Sequence, residues 1–483
     1  MLFNSYIFIL LFLPVTVTGY YLLNRAGIRA GEWWLLAMSL WFYGYFNPWY
    51  LLLIGSSIVV NYFFSRLLNR KEQTGRKQLL AVAVICNVLL IFYFKYYDFF
   101  VSNINALFHT DFVLKHILLP LGISFFTLQQ ISFIIDSYEG KTGDYAFLEY
   151  ALFVTFFPQL VAGPIVLHDE LIPQFRDTSK KKPQAENLSA GIMQFTLGLA
   201  KKMLIADLLG SAVNLAYADI YAVSSAELVI ALFAYTFQIY FDFSGYSDMA
   251  VGLGKMFNLT LPMNFDSPYK SLSVPEFWRR WHMTLNRFFR RYLYIPLGGS
   301  RKGRTQMLVN TMIVFTVSGI WHGANFTFIL WGMLHGLAVC IGRLTEGAWG
   351  KLPRALRLIA TFLYVNLLWG LFRADSVTQF LAICRRMILP EDTGFHEAFL
   401  STFRLPYLRK ALSVLHVPYT DMGVYMLCAA VLFVFLFLMC VIPENNYKRR
   451  YVFTNRSLVW TLTLLVFCIV SLGKVSVFLY FNF

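Results

Sequence analysis

The sequence predicts an all-α polytopic membrane protein, and three observations lead there. Of its 483 residues 58% are hydrophobic and only 14% are charged, against about one quarter charged in a soluble domain. Apolar runs recur from Tyr6 to the C-terminus, and several approach the roughly 20 residues that a helix needs to span hydrocarbon. Lysines and arginines cluster between these runs, where the positive-inside rule puts them. These criteria give roughly 11 to 14 membrane helices, including re-entrant or broken segments.

In chain order, apolar runs fall at 3–22, 33–46, 48–65, 79–98 and 117–135. The first has no basic stretch before it and no clear small-residue cleavage site, so it reads as a retained helix and not as a removed signal. Arg25 and Arg29 follow the first run, and Arg66, Arg70, Lys71, Arg76 and Lys77 follow the third. Both loops are expected in the cytoplasm, which puts the N-terminus outside and makes 99–116 external. The loop with Asp136, Glu139 and Lys141 and the loop with Lys180, Lys181 and Lys182 then both belong inside. Only 146–166 lies between them, and it holds Pro158, Gly163 and Pro164. A broken or re-entrant segment resolves the conflict, because irregular backbone at membrane depth needs protein or a wet cavity around it. The stretch from Lys270 to Arg304 carries nine lysines and arginines and one acid, Glu276, and is expected in the cytoplasm. Helices resume at 306–320, 324–343 and 355–373. A more polar insertion covers 386–421, and two last spans, 422–442 and 457–478, bracket Lys448-Arg449-Arg450.

The net charge of +15 follows from this loop topology, so nucleic acid is not the expected partner. The lipid bilayer is. Six cysteines stand singly, with no CxxC pair, so neither a disulfide framework nor a metal site is indicated. There is no GxxxxGK[ST] loop, no HExxH and no complete GxSxG elbow, which argues against nucleotide hydrolysis and against serine or metal hydrolases.

The chemistry points to Ser318-Gly319-Ile320-Trp321-His322-Gly323-Ala324. An ionisable side chain in an apolar run is costly and by default functional, and histidine is suited to taking and returning a proton near neutral pH. Ser318 and Asn325 would share the face of His322 if the helix ran unbroken past Gly323, and either would orient its ring. His335 would lie about 220° round a straight helix. A core histidine bonded to a neighbouring helix is the competing reading, and position alone does not separate the two. His282 ends Pro275-Glu276-Phe277-Trp278-Arg279-Arg280-Trp281-His282. Arg279 and Arg280 suit the phosphates of a donor, although topology alone also explains their charge. Tyr240, Ser244, Ser247 and Asp248 form a polar stripe; with Asp242 off that face, the two acids either line a cavity or, on the stronger reading, brace arginines such as those at 279–291. His109, His116, His168, His396 and His416 fall in or near loops.

Five stretches together resemble the membrane-bound O-acyltransferase (MBOAT) family, specifically its alginate O-acetyltransferase, or AlgI-like, branch. They are FFPQLVAGPI at 156–165, YFDFSGYSDMAVGLGKMFN at 240–258, NFDSPY at 264–269, PEFWRRWHMTLNRFFRRYLYIPLGGSRKG at 275–303 and SGIWHGANFTFILWGMLHG at 318–336. They keep the family order and cover most of 117–340. The resemblance implies a ring of helices around a central funnel or tunnel, with N-terminal helices at 1–116, a catalytic core at 117–345 and C-terminal helices at 346–483. It matches His322 to the family's membrane histidine and His282 to the second motif histidine. It implies acyl transfer from a thioester, acetyl-CoA as donor substrate with no permanently bound cofactor, to a hydroxyl of an extracellular or periplasmic polysaccharide or to a periplasmic SGNH-type acetyltransferase partner, in the bacterial inner membrane. Two departures touch the polymer and not the reaction class: Arg291 stands where the branch often has Asp, and Asn286 where Ser or Thr is common.

On that chemistry His322 is the general base, with His282 behind it as a positioning or proton-shuttling group. Trp321 and Asn325 are candidate donors to the developing oxyanion, and Gly319 and Gly323 let the donor approach. Two readings compete. One is a D-alanyl transferase of the DltB type using a carrier-protein thioester; Tyr294-Ile295-Pro296-Leu297-Gly298-Gly299 favours the AlgI-like branch over it. The other is a non-catalytic polymer or small-molecule transporter, with many spans and internal polar groups as its whole support.

Overall fold

In a bilayer, helices gain little from hiding apolar side chains from one another, so small residues and paired polar groups decide which faces meet. A computed structural model describes residues 1–70, 74–404, 413–414, 420–443, 445–446, 449, 451–452, 454–472, 476 and 478–479. His416, Lys71, Lys448, Arg450 and part of the 386–421 insertion lie outside the described residues.

The chain runs through α1 (Ile7–Ala26), α2 (Ile28–Gly44), α3 (Trp49–Leu68), α4 (Arg76–Phe108), α5 (Ile123–Tyr138), α6 (Phe147–Thr155), α7 (Phe157–Leu160) and α8 (His168–Arg176). It continues through α9 (Ala185–Ala200), α10 (Asp207–Ala218), α11 (Ser225–Met256), α12 (Val274–Arg280) and α13 (Met283–Phe289). It ends with α14 (Arg304–His322), α15 (Phe326–Leu344), α16 (Arg354–Arg373), α17 (Val377–Ile388), α18 (Asp421–Val441) and α19 (Asn455–Val470). Among the described residues there is no strand, and seven helices are long and apolar enough to cross a membrane. The protein is a multi-pass, all-α membrane protein.

The centre is α11. Its most apolar window is 83% buried, against 17% for α4 at the periphery, and at about 1.5 Å per residue it outruns a 30 Å hydrocarbon layer. Glycines bring α9 against it. A methyl group on Gly191 would sit 2.6 Å from the Gly252 carbonyl oxygen, and one on Gly198 would sit 2.5 Å from that of Gly245. Beyond the glycines, Lys202 Nζ bonds Asp242 at 2.6 Å and Asp207 at 2.9 Å, and Lys201 Nζ bonds Asp248 at 2.6 Å. The acids of the YFDFSGYSD stripe therefore brace lysines from the adjoining turn and not the arginines at 279–291. Helical contact fixes this, because α9 lies alongside α11 while the arginines sit on another element.

The break expected in 146–166 is present. Helix α6 stops at Thr155, α7 is a single turn, and the chain then runs irregularly to Leu167 with every residue from Tyr150 to His168 buried. Its backbone is satisfied by side chains from elsewhere: Phe157 N donates to Ser39 Oγ at 3.3 Å, and Ile165 N donates to Thr284 Oγ1 at 3.0 Å. Beside it Gly122 has φ +73°, and a side chain there would meet the Leu160 carbonyl oxygen at 2.6 Å, so both conformation and space require glycine.

Three boundaries differ from expectation. Helix α4 does not stop at 98 but continues through Phe108, so half of the supposed external loop 99–116 is helix. The span expected at 117–135 starts later, at Ile123, after an irregular stretch. The last span is shorter, Asn455–Val470. In the 386–421 insertion, the exposed His396 lies with Nδ1 2.8 Å from the buried Glu227 carboxylate, which pushes its pKa above the ordinary histidine value.

Candidate active site

Helix α14 ends at His322 because Gly323 takes an extended conformation (φ −168°, ψ 158°). Asn325 then starts α15: its Oδ1 accepts from Thr327 N at 3.0 Å, as an N-cap does. The chain is thus broken between the two helices, and the unbroken run past Gly323 that a shared face required is absent. Asn325 cannot share a helical face with His322, and its Nδ2 is engaged by the Asp375 carbonyl at 2.8 Å. It caps α15, and one of its two amide hydrogens is given to that carbonyl. Ser318 is buried one turn before His322 on α14. The glycines also have another use. A methyl on Gly319 would lie 2.3 Å from the Phe328 carbonyl oxygen, and one on Gly323 would lie 2.1 Å from the Phe328 ring. They permit the α14–α15 hairpin to close.

His322 is buried, 3% exposed. Its ring is enclosed by Trp321, Trp331 and Phe372, at centroid distances of 4.9, 5.2 and 5.4 Å. Lys95 of α4 places its Nζ 2.6 and 3.0 Å from the carbonyl oxygens of Trp321 and His322.

His282 sits between α12 and α13 in the left-handed region, φ 45° and ψ 52°. A non-glycine residue held there stores strain, and such residues gather at functional sites. Its Nδ1 is 3.3 Å from Asn264 Oδ1. That oxygen also accepts from the Thr284 backbone N–H at 3.3 Å and the Thr284 hydroxyl at 2.6 Å. A backbone N–H can only donate, so the amide oxygen is the acceptor, Nδ1 of His282 carries the hydrogen, and Nε2 is the basic nitrogen. The His282 ring lies 6.3 Å from Trp321, so one indole touches both motif histidines.

A third histidine joins them. His335 is fully buried on α15, and its Nδ1 accepts from the Trp278 indole N–H at 3.2 Å. Trp331 lies 4.9 Å from His335 and 5.2 Å from His322. The straight-helix geometry that separates His335 from His322 does not apply, since the chain turns between them. The result is a row of alternating imidazoles and indoles: His282, Trp321, His322, Trp331, His335, Trp278.

Trp278 also lines a cavity of about 540 Å³ together with Arg279, Arg343 and Arg357. A neighbouring cavity of about 370 Å³ shares Arg279 and Arg343 and adds Arg290. Arg279 and Arg290 have no ion-pair partner among the described residues. Arg280 is different. Glu276 holds it at 2.9 Å, the Asp266 carbonyl accepts from it at 3.1 Å, and it lines neither cavity. Of the paired arginines only Arg279 is available to a ligand. Sequence reasoning missed Arg343, Arg357, His335 and Lys95. For Lys95 a signal exists: one cation in an apolar stretch of mean hydropathy 2.1.

The two departures from the branch pattern are accommodated locally. Arg291 lies 3.0 Å from the buried Asp136, which also accepts from Tyr292 at 2.7 Å and pairs with His168 at 3.1 Å. Asn286 donates to the Trp278 carbonyl at 2.8 Å.

Residues 35–374 match the membrane-bound O-acyltransferase family. A peptidoglycan O-acetyltransferase of Helicobacter pylori is 37% identical over the whole of this chain and 98% of its own length. A Pseudomonas aeruginosa protein named "Probable alginate O-acetylase AlgI" is 38% identical over 78% of this chain and 73% of its own. A teichoic acid D-alanyltransferase of Streptococcus thermophilus is 27% identical over 46% of this chain and 56% of its own. The match to the family covers the broken segment, the lysine-braced α11, the histidine row and the arginine cavity alike, and the chain belongs to the membrane-bound O-acyltransferase family, as an acyltransferase enzyme.

Proposed function

We propose that this enzyme moves an acetyl group from acetyl-CoA, held on the cytoplasmic side, to a hydroxyl of a cell-surface glycan, directly or through a partner acetyltransferase. The observation that carries the reading is the continuity between the arginine cavity and the histidine row through Trp278. Guanidinium groups suit the phosphates of such a donor, and a buried row of imidazoles suits the reacting end.

The end-to-end match to a peptidoglycan O-acetyltransferase favours a peptidoglycan acceptor over alginate. The D-alanyl transferase relative is less similar and spans less of the chain, so a carrier-protein donor is the weaker reading. Basic loops on the cytoplasmic side put the N-terminus outside the inner membrane. On that orientation Arg343 and Arg357 lie near the cytoplasmic ends of α15 and α16, and His322 lies towards the far end of α14.

In the proposed step His322 takes the proton of the acceptor hydroxyl as its oxygen attacks the thioester carbonyl, a contribution of about 10²–10⁴-fold. The carbonyl π electrons move onto oxygen, and the Trp321 indole N–H donates to that oxyanion. As the carbonyl re-forms, the C–S bond breaks and the thiolate leaves, taking its proton from the imidazolium directly or through water. Acetyl ends on the acceptor oxygen, and free CoA remains on the donor side. His282, oriented by Asn264, positions the acceptor.

The test supplies acetyl-labelled CoA to the purified full-length protein in lipid nanodiscs, with peptidoglycan fragments, alginate oligomers or no acceptor. Label appearing as O-acetyl ester on the peptidoglycan fragments, and not on alginate, is expected. Transfer from a D-alanyl carrier thioester with none from acetyl-CoA overturns the donor assignment.

A further inference from the structure

The last four carbonyls of an α-helix have no partner inside it, and in hydrocarbon no water replaces one. Helix α14 ends in the protein interior, with Trp321 and its final residue His322 both buried. Three of those four carbonyls are nevertheless satisfied, by two adjacent side chains from a helix more than two hundred residues earlier. The Tyr96 hydroxyl donates to the Ile320 carbonyl at 2.5 Å. Lys95 Nζ donates to the Trp321 carbonyl at 2.6 Å and to the His322 carbonyl at 3.0 Å.

The sequence provides for this locally. Within α4 the turn Phe92–Tyr96 is a π-helical widening. Such widenings open the helical ladder and recur at functional sites. The turn carries both capping groups. Lys95 does not reach for an interface, as lysines near helix ends do. Its ammonium lies 5.8 Å from the Trp321 ring and faces the negative end of the α14 dipole, where a cation is favoured.

We propose that Lys95 is a positioning residue for His322: its ammonium closes the α14 terminus from outside the helix and fixes the backbone that carries the imidazole. This rests on the reading of His322 as the base. The ring itself is enclosed by Trp321, Trp331 and Phe372. The backbone anchor sets its depth relative to donor and acceptor. A displacement of about 1 Å in such a group costs on the order of 100-fold in rate.

The experiment compares Lys95→Met, Lys95→Gln and Lys95→Arg with wild type and His322→Ala, as full-length proteins in nanodiscs with acetyl-labelled CoA. It reads kcat, donor KM and melting temperature. Lys95→Met should lower kcat by about 100-fold and leave the donor KM within about threefold. Lys95→Arg, which keeps charge and donors, should recover most of the lost kcat, and Lys95→Gln should fall between. Combining Lys95→Met with His322→Ala should be no worse than His322→Ala alone, since Lys95 acts only through His322. A wild-type kcat in Lys95→Met, or a loss confined to KM, overturns the proposal. If Lys95→Met fails to insert, Lys95→Gln decides: a wild-type kcat there overturns the proposal equally. An active His322→Ala instead removes the base assignment. A dead His322→Ala beside a fully active Lys95→Met removes only the role of Lys95.

Discussion

Two regions of this protein bury polar groups in the membrane, and they do it in opposite ways. Along α9–α11 the charges are matched: Lys202 with Asp242 and Asp207, Lys201 with Asp248, all within 2.9 Å. In the histidine row imidazoles and indoles alternate, and the far end opens through Trp278 onto arginines. Compensated charge is a bracing device. The rings instead lead, through Trp278, to a cavity lined by arginines. Counting intramembrane polar residues would have treated the two alike.

The largest expected effect separates them by stability. Asp242→Asn leaves Lys202 underpaired in a buried cluster, and breaking such a pair typically costs about 3–5 kcal/mol. A strongly lowered melting temperature is expected, with kcat per folded molecule kept. Loss of kcat at unchanged stability would erase the distinction between bracing and site.

A smaller effect tests the cavity. Arg279→Glu should raise the donor KM by roughly 10- to 100-fold, the worth of a hydrogen bond to a charged group, with kcat changed little. Arg280→Glu should leave KM alone, because Glu276 and Asp266 already hold that side chain. Equal KM changes in the two variants would mean that the charge of the loop acts as a whole and that the cavity geometry is irrelevant.

Much of this was legible in the sequence for identifiable reasons. Pro158, Gly163 and Pro164 forbid a continuous helix, so the break at 146–166 could be read directly. An imidazole in an apolar run singles out His322 as a candidate, without separating a base from a core histidine. Other features depend on contacts between distant segments. Nothing local tells Asp242 to choose Lys202 over an arginine. His335 was set aside on straight-helix geometry, which failed at Gly323, a residue whose neighbours invite a continuous reading. Asn325 follows that glycine and is an N-cap, a role its residue type favours but which the assumed continuity hid. Helix α4 runs on to Phe108 through the apolar Phe99, Phe100 and Leu107, past residue 98, the expected end of the apolar run. Lys95 is where the sequence held a clue, a lone cation among aromatics, with the partner 226 residues away.

The central claim is that the His322 imidazole takes the acceptor's proton, and single-turnover transfer tests it most directly. Acetyl-CoA is bound to saturation in nanodisc-held protein, acceptor is added, and the ester is quantified against time for wild type, His322→Ala and His322→Gln. The account predicts wild-type ester formation and a loss of at least about 10²-fold in both variants, with donor binding and melting temperature preserved. Ester formed by His322→Ala at near the wild-type rate would contradict it.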